Sequence, residues 1–334
     1  MKSALRGISG RICDPLSTLP GAGRLLFGGA NIAYYHWIGD PAPHYAAFSS
    51  GCDIRRFRRH LDRLQAQFEI VPLSTLVGDR LERTAPAWRG RPSLAITFDD
   101  GFDLVRSGVM AELDSRSIKA TVLLITSCIG NRSLMWRGKL SAIAHCTPTG
   151  DLIGRFGDLC RRHALPTAAD IPAIWRSSYE WDPELAPALA AELWERCGMP
   201  SESAYLERHR PYMGWSEIRS WTANGHEIGL HTETHPRCDR LSEEGIKREI
   251  VSPAAALRSE LDVEFLPFSY PFGPCLPAHV AEALWRDGTV DCLLGTDGLS
   301  PRGTPPWLLH RACLEPGLHF PMFGRTMIRR ALGR

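Results

Sequence analysis

An α/β fold built on a parallel sheet or barrel is predicted by two observations. Short apolar, β-branched runs alternate with segments of helical periodicity along most of the chain, as they do where helices join parallel strands. The two chemically loaded segments, Thr97-Phe98-Asp99-Asp100-Gly101 and His231-Thr232-Glu233-Thr234-His235, each end such a run. Functional groups gathered at the carboxyl ends of strands are what barrel enzymes present.

Taken in order, Ala30–Tyr35 reads as a first buried strand closed by the polar His36. Asp53 reads as the cap of a helix in which Phe57, Leu61, Leu64 and Phe68 recur at helical spacing, leading into a short strand, Glu69–Leu73. Ser93–Phe98 is a strand whose far end delivers the acid pair, and Ala120–Ile125 follows after another helix. From about 130 to 213 the pattern becomes helical and tryptophan-rich, with Leu185, Leu189 and Leu193 four apart and Pro148, Pro166, Pro172 and Pro183 as punctuation. We read this stretch as a helical insertion. A helix over Trp215–Asn224, stopped by Gly225, precedes the strand His226–Leu230, and Ser242 opens a helix with Glu243 and Glu244 in its first turn. Phe265–Tyr270 is the next strand, ending in Pro271-Phe272-Gly273. The expected organisation is one barrel domain over residues 30–325, preceded by a poorly structured or peripheral leader at 1–29.

A chain of 334 residues with 44% hydrophobic content can bury a substantial core. Its formal charge of +2, from 39 basic and 37 acidic residues, offers nucleic acid no electrostatic footing. The ten cysteines are scattered without a CxxC pair, which excludes a zinc ribbon or thioredoxin-type motif and fits a reduced compartment. No stretch approaches the roughly 18 uninterrupted apolar residues of a membrane span. Residues 1–30 carry Lys2, Arg6, Arg11 and Arg24 against Asp14, but glycines and prolines break every apolar run, so a secretory signal is poorly supported. A weak contact with a membrane surface is the use left to them. The expected location is cytoplasmic, peripheral at the inner membrane face at most.

Two imidazoles and one carboxylate are the usual protein share of a catalytic zinc. His231, His235 and Asp100 supply that set, and Asp99 then stands where a general base belongs. A lone histidine is as often merely hydrogen-bonded, and Asp-Asp-Gly after a strand is also an ordinary turn. Together they favour a metal, because neighbouring carboxylates repel when ionised and a divalent cation offsets that cost. The HExxH helix face fails here, since His226 precedes His231 by five residues. A two-carboxylate glycosidase needs no histidine pair.

These motifs resemble the polysaccharide deacetylases, whose common unit is the NodB-homology domain. Thr97–Gly101 is similar to their first motif and His231–His235 to their second. The likeness extends through Tyr34-Tyr35-His36, Trp215-Ser216-Glu217-Ile218, Gly225-His226-Glu227-Ile228-Gly229 and Ser269-Tyr270-Pro271-Phe272-Gly273. The resemblance implies a distorted (β/α) barrel and a divalent metal, zinc, on Asp100, His231 and His235, with Asp99 as base. It also implies that the backbone N–H of Phe272 helps hold an oxyanion. Leu308-Leu309-His310 resembles the last motif, which makes His310 the candidate general acid. One departure stands out: many members carry an arginine two residues before the proline of the third motif, paired with the base, and here that position is Ser269. A variant group with Tyr-Pro-Phe-Gly shares the change; Arg311 and Arg237 are the candidates to substitute, against a surface arginine. His36 ends a strand and either lines the pocket or packs. Of Trp136, Trp175, Trp181 and Trp194, most are expected in the cores of covering helices rather than on sugar rings.

The resemblance thus implies removal of N-acetyl groups from hexosamines of a polysaccharide, oligosaccharide or lipid-linked precursor. Two alternatives stay open: a barrel that only binds glycan, and a metal-dependent O-acetyl esterase or other amidohydrolase.

Overall fold

The computed structural model describes residues 31–46, 51–81, 91–298, 300 and 304–315. The leader at 1–29, and the membrane contact expected of it, lie outside these residues. No helix among the described residues is long and apolar enough to cross a membrane.

The strands are β1 (Asn31–Tyr35), β2 (Trp37–Ile38), β3 (Gly51–Cys52), β4 (Glu69–Ile70), β5 (Ser93–Phe98), β6 (Thr121–Leu124), β7 (Glu227–Leu230), β8 (Pro267–Ser269), β9 (Cys292–Gly295), β10 (Leu308–His310) and β11 (Ala312–Cys313). Eight of them follow the order β10-β9-β8-β7-β6-β5-β1-β11, with β4 beside β5 and a separate β2-β3 ladder. Every pairing between these strands is parallel. The two ends of this path, β10 and β11, are separated in sequence only by Arg311, so the sheet curls into a nearly closed barrel. The predicted (β/α) barrel is the observed architecture.

Strand alternation decides what faces the barrel axis. Ile32, Ala95, Leu123, Leu294 and Leu309 form one small apolar cluster within the barrel. Their neighbours Ala33, Tyr35, Ile96, Phe98 and Val122 belong to the larger core shared with the surrounding helices. In helix α1 (Ile54–Gln67), Phe57, Leu61 and Leu64 are buried, and the Asp53 side chain accepts from the Arg56 N–H at 2.9 Å, as the helical spacing predicts. Helix α2 (Leu73–Leu81) corrects the expected strand Glu69–Leu73, which stops at Ile70. The Glu227 carboxylate accepts from the Leu73 and Ser74 N–H groups at 2.9 and 3.2 Å, so a distant acid starts this helix.

Helix α3 (Asp103–Ser115) joins β5 to β6. Between β6 and β7 run α4 (Trp136–Cys146), α5 (Thr149–His163), α6 (Ile171–Tyr179), α7 (Ala186–Arg196), α8 (Glu202–His209) and α9 (Trp215–Ala223). Trp136, Phe156, Trp181, Leu193 and Trp194 form a core for this region that also takes in Phe102, next to the acid motif. The excursion therefore packs beside the loops at the strand carboxyl ends. After β7 come α10 (Glu243–Ile246), a π-helical turn over Lys247–Val251, α11 (Ser252–Leu261) and, past β8, α12 (Ala278–Arg286).

Candidate metal centre

Parity carries the chemistry inward. On β5, Ala95 lies inside the barrel, so Thr97 and Asp99 follow it; on β7, Ile228 and Leu230 face the helices, so His231 turns in. Asp100 is brought round by a left-handed turn, with φ of 71° at Asp100 and 70° at Gly101. Thr232, His235 and Phe272 also hold positive φ, of 69°, 65° and 63°. Four non-glycine residues in this costly region, all on loops over the barrel mouth, mark a place where packing holds a strained arrangement.

One ligand atom from each of Asp100, His231 and His235 lies within 4.8 Å of the others, and all three residues are buried. Asp100 Oδ1 is 3.6 Å from His231 Nε2 and 3.4 Å from His235 Nε2. The His231 Nδ1–H donates to the Ser269 carbonyl at 2.9 Å, leaving the Nε2 lone pair for the cluster. Burial drives the His231 pKa down to about 4 and that of His235 well below its usual value, so both rings are neutral, as ligands must be. Burial, partly countered by His36 and reinforced by Asp99, lifts Asp100 to about 7. Asp100 Oδ1 is buried with no hydrogen-bond partner among the described residues. A buried acceptor without a donor, facing two neutral imidazole nitrogens, is a donor set that fits a divalent cation.

The histidine loop is held from several sides. Its Thr234 N–H and Oγ1–H both donate to the buried Glu249 carboxylate, at 2.8 and 2.9 Å, and the Glu233 N–H donates to the Glu249 carbonyl at 3.0 Å. Glu249 comes from the π-helical turn, an irregularity often found at functional sites. The His235 N–H donates to Thr232 Oγ1 at 2.9 Å, and Trp136 Nε1–H to the His235 carbonyl at 3.0 Å. Replacing Glu249 by glutamine should therefore weaken divalent-cation affinity by about 10- to 100-fold, measured by competition with a chelator.

Asp99 is gripped by an arginine the sequence could only nominate. Arg311 donates to Asp99 Oδ1 at 2.6 Å and Oδ2 at 2.9 Å, and further to Thr97 Oγ1 at 3.0 Å and to Ser269 Oγ. Both partners of this forked pair are almost wholly buried. The guanidinium lies against Ser269, where the resemblance leads one to expect an arginine: a small side chain on β8 leaves room, and Arg311 fills it from the β10–β11 junction. Arg237 instead pairs with Asp239 and Glu180. Burial alone would raise the Asp99 pKa, but Arg311, helped by His231 and His36, brings it below the ordinary carboxylate range.

His310 is not brought to this cluster. It sits between Leu309, inside the barrel, and the inward Arg311, so alternation turns it away; its Nδ1 is 3.8 Å from Asp297. His36 is the histidine that reaches the site. It lines a cavity of about 220 Å³ together with Asp99, Asp100, His231, His235 and Phe272. Its Nδ1 is 2.9 Å from Glu315 Oε2, and its backbone N–H donates to Glu315 Oε1. Burial opposes protonation, but the charge and hydrogen bond of Glu315, with smaller help from Asp100 and Asp99, raise the His36 pKa to about 10.

Phe272 lines the same cavity, its ring 4.7 Å from that of His235. Its N–H donates to no described residue. The next residue, Gly273, has φ of 98°, and a Cβ there would lie 2.2 Å from Thr296 Oγ1, so this turn admits only glycine. Trp136, Trp181 and Trp194 are buried in the core of the excursion, whereas Trp175 borders the cavity. His226 is structural: its Nδ1 accepts from the Ala120 N–H at 3.2 Å and its ring stacks on Trp221 at 4.0 Å.

A family model described as polysaccharide deacetylase matches residues 88–284. The chain belongs to the polysaccharide deacetylase family. The matched segment of this deacetylase family member contains Asp99, Asp100, His231, His235 and Phe272, while His36, His310 and Arg311 lie outside it. No curated protein matches the sequence. Among solved structures, the chain is similar to the Streptococcus pyogenes deacetylase PplD in complex with acetate, at 13% identity and a TM-score of 0.56, over 89% of this chain and 97% of that one. It is similar to IcaB from Ammonifex degensii at 17% identity and a TM-score of 0.53, over 90% and 96% of the two chains. A de-N-acetylase from Aggregatibacter actinomycetemcomitans gives 11% identity and a TM-score of 0.54, over 89% and 99%. At such identities the likeness is one of fold.

Proposed function

We propose that this family member is a divalent-metal-dependent hydrolase, with zinc as the expected ion, that removes N-acetyl groups from hexosamines of a polysaccharide, oligosaccharide or lipid-linked precursor. The observation that carries the reading is the buried Asp100–His231–His235 set, with an unpartnered carboxylate oxygen, beside an arginine-clamped Asp99. A cation held by those three residues would supply Lewis acidity, polarising an acyl carbonyl and making water nucleophilic near neutral pH.

The remaining work falls to the chain's own groups. Asp99, kept ionised by Arg311, takes a proton from the attacking water. The Phe272 N–H, which has no acceptor among the described residues, is the backbone donor for the oxyanion that develops as the carbonyl carbon becomes tetrahedral. When the C–N bond breaks, the leaving amine needs a proton, and we assign that role to His36 rather than His310, because His36 lines the cavity and Glu315 keeps it charged. His36→Gln should lower kcat by about 100-fold or more, whereas His310→Gln should stay within a few-fold of the native enzyme, in steady-state acetate release.

The reading is tested by incubating the zinc-loaded protein with acetylated chitooligosaccharides and quantifying acetate, with Asp99→Asn as control. Acetate released by the native chain and not by the variant supports it. Cation binding without acetate from any N-acetylated or O-acetylated substrate favours the glycan-binding alternative, and release only from O-acetyl esters favours an esterase.

A further inference from the structure

Arg137, the second residue of α4, is 6% exposed and lines the candidate cavity. Among the described residues its guanidinium has neither a hydrogen bond nor an ion pair, and its close contacts are aromatic rings. The guanidinium carbon stands 3.5 Å from the ring centroid of Trp175 and 5.0 Å from that of Phe272. Stacking of this kind offsets only part of the cost of burying an ion. Burial accordingly pulls its pKa down to about 9.

The other charges around the cavity are spoken for. Arg311 takes Asp99, His36 takes Glu315, and Asp100 faces the two ligand histidines. Arg137 is thus the uncompensated cation among the described lining residues. Its position is fixed close to the chemistry, because its neighbour Trp136 is hydrogen-bonded to the His235 carbonyl. A buried guanidinium close to two aromatic rings, with no acceptor for its N–H groups among the described residues, has the chemistry of an anion receptor.

We propose that Arg137 is a specificity-determining residue that binds an anionic group of the substrate, a carboxylate or a phosphate, close to the N-acyl group, so that acidic glycans or phosphorylated sugars are preferred over neutral ones. This rests on the deacetylase reading for its turnover arm and is independent of it for its binding arm. A carboxylate would come from a uronic acid residue, a phosphate from an anomeric phosphate ester.

For binding, tryptophan fluorescence of the zinc-loaded protein is titrated with glucuronate and with inorganic phosphate, because Trp175 and Trp136 flank the guanidinium. Saturable quenching by one of the two, weakened about tenfold or more in Arg137→Met and partly restored in Arg137→Lys, supports the proposal and identifies the source. Equal responses in the native chain and Arg137→Met, or none in either, overturn it. For turnover, kcat/KM is compared between N-acetylhexosamine oligosaccharides that are neutral, uronate-bearing or phosphorylated at the anomeric position. The ratio of anionic to neutral substrate should fall about tenfold in Arg137→Met. An unchanged ratio overturns the proposal while leaving the deacetylase reading intact. Absence of turnover on all three substrates defeats that reading and leaves the fluorescence result to decide the anion site. Loss of an unpaired buried charge should not unfold the protein, and a melting temperature at or above native shows that Arg137→Met is sound.

Discussion

Asp99→Asn is expected to lower kcat by about two to four orders of magnitude while the protein keeps its divalent cation. The amide preserves shape but cannot accept a proton, and Asp100, His231 and His235 are untouched. The separation of binding from turnover is the informative part: a base beside the cation predicts full metal content and little acetate, whereas a ligand role for Asp99 predicts loss of both. The variant should also be less stable, because Arg311 is fully buried and its strongest partner would be gone. Acetate release and elemental analysis on the same preparation check this.

The second large effect belongs to Arg311→Met. Removing one member of a buried ion pair typically costs about 3–5 kcal/mol, because the other charge is left desolvated and unpaired. For a domain of this size that corresponds to a fall in melting temperature of roughly 5–8 °C. The pH dependence has a definite sign. Arg311 depresses the folded pKa of Asp99, so the stability it contributes is present above the ordinary carboxylate pKa and lost as pH falls through the depressed value. The difference between native and Arg311→Met should be widest at neutral pH and shrink below about pH 4. Activity should fall as well, since Arg311 is the side-chain hydrogen-bond partner of the Asp99 carboxylate among the described residues. Arg311→Lys should recover only part of either loss, because an ammonium cannot reproduce the fork. Thermal melts across pH, paired with kinetics, read both effects; a variant as stable as native at pH 7 would mean that the pair is not a stabilising clamp.

The contrast between Asp100, His231 and Arg311 explains what sequence alone could convey. The acid pair and the two histidines are compact motifs at strand ends, so their residue types and spacing already speak of a metal and a base. Arg311 meets Asp99 across 212 positions, and His36 meets Glu315 across 279, and no local pattern encodes such contacts. The short last motif nominated His310 as general acid, whereas the alternation of Leu309 and Arg311 inward puts His310 on the outer face. Counting strand parity from a known inward residue would have pointed to Arg311 and turned His310 outward. Helix α2 was missed for a similar reason: its first amides are capped by Glu227, which folds back from β7. By contrast, α1, with its own cap and apolar stripe, and the barrel strands, with their apolar runs, were legible from local pattern.

Metal content, measured by elemental analysis after equilibration with zinc, decides most directly whether Asp100, His231 and His235 form one site. We expect one tightly held divalent cation per chain in the native protein and in Asp99→Asn, and none retained in His231→Ala or Asp100→Ala when both variants remain folded. A folded His231→Ala or Asp100→Ala that still holds a full equivalent would contradict the assignment of these three side chains as ligands.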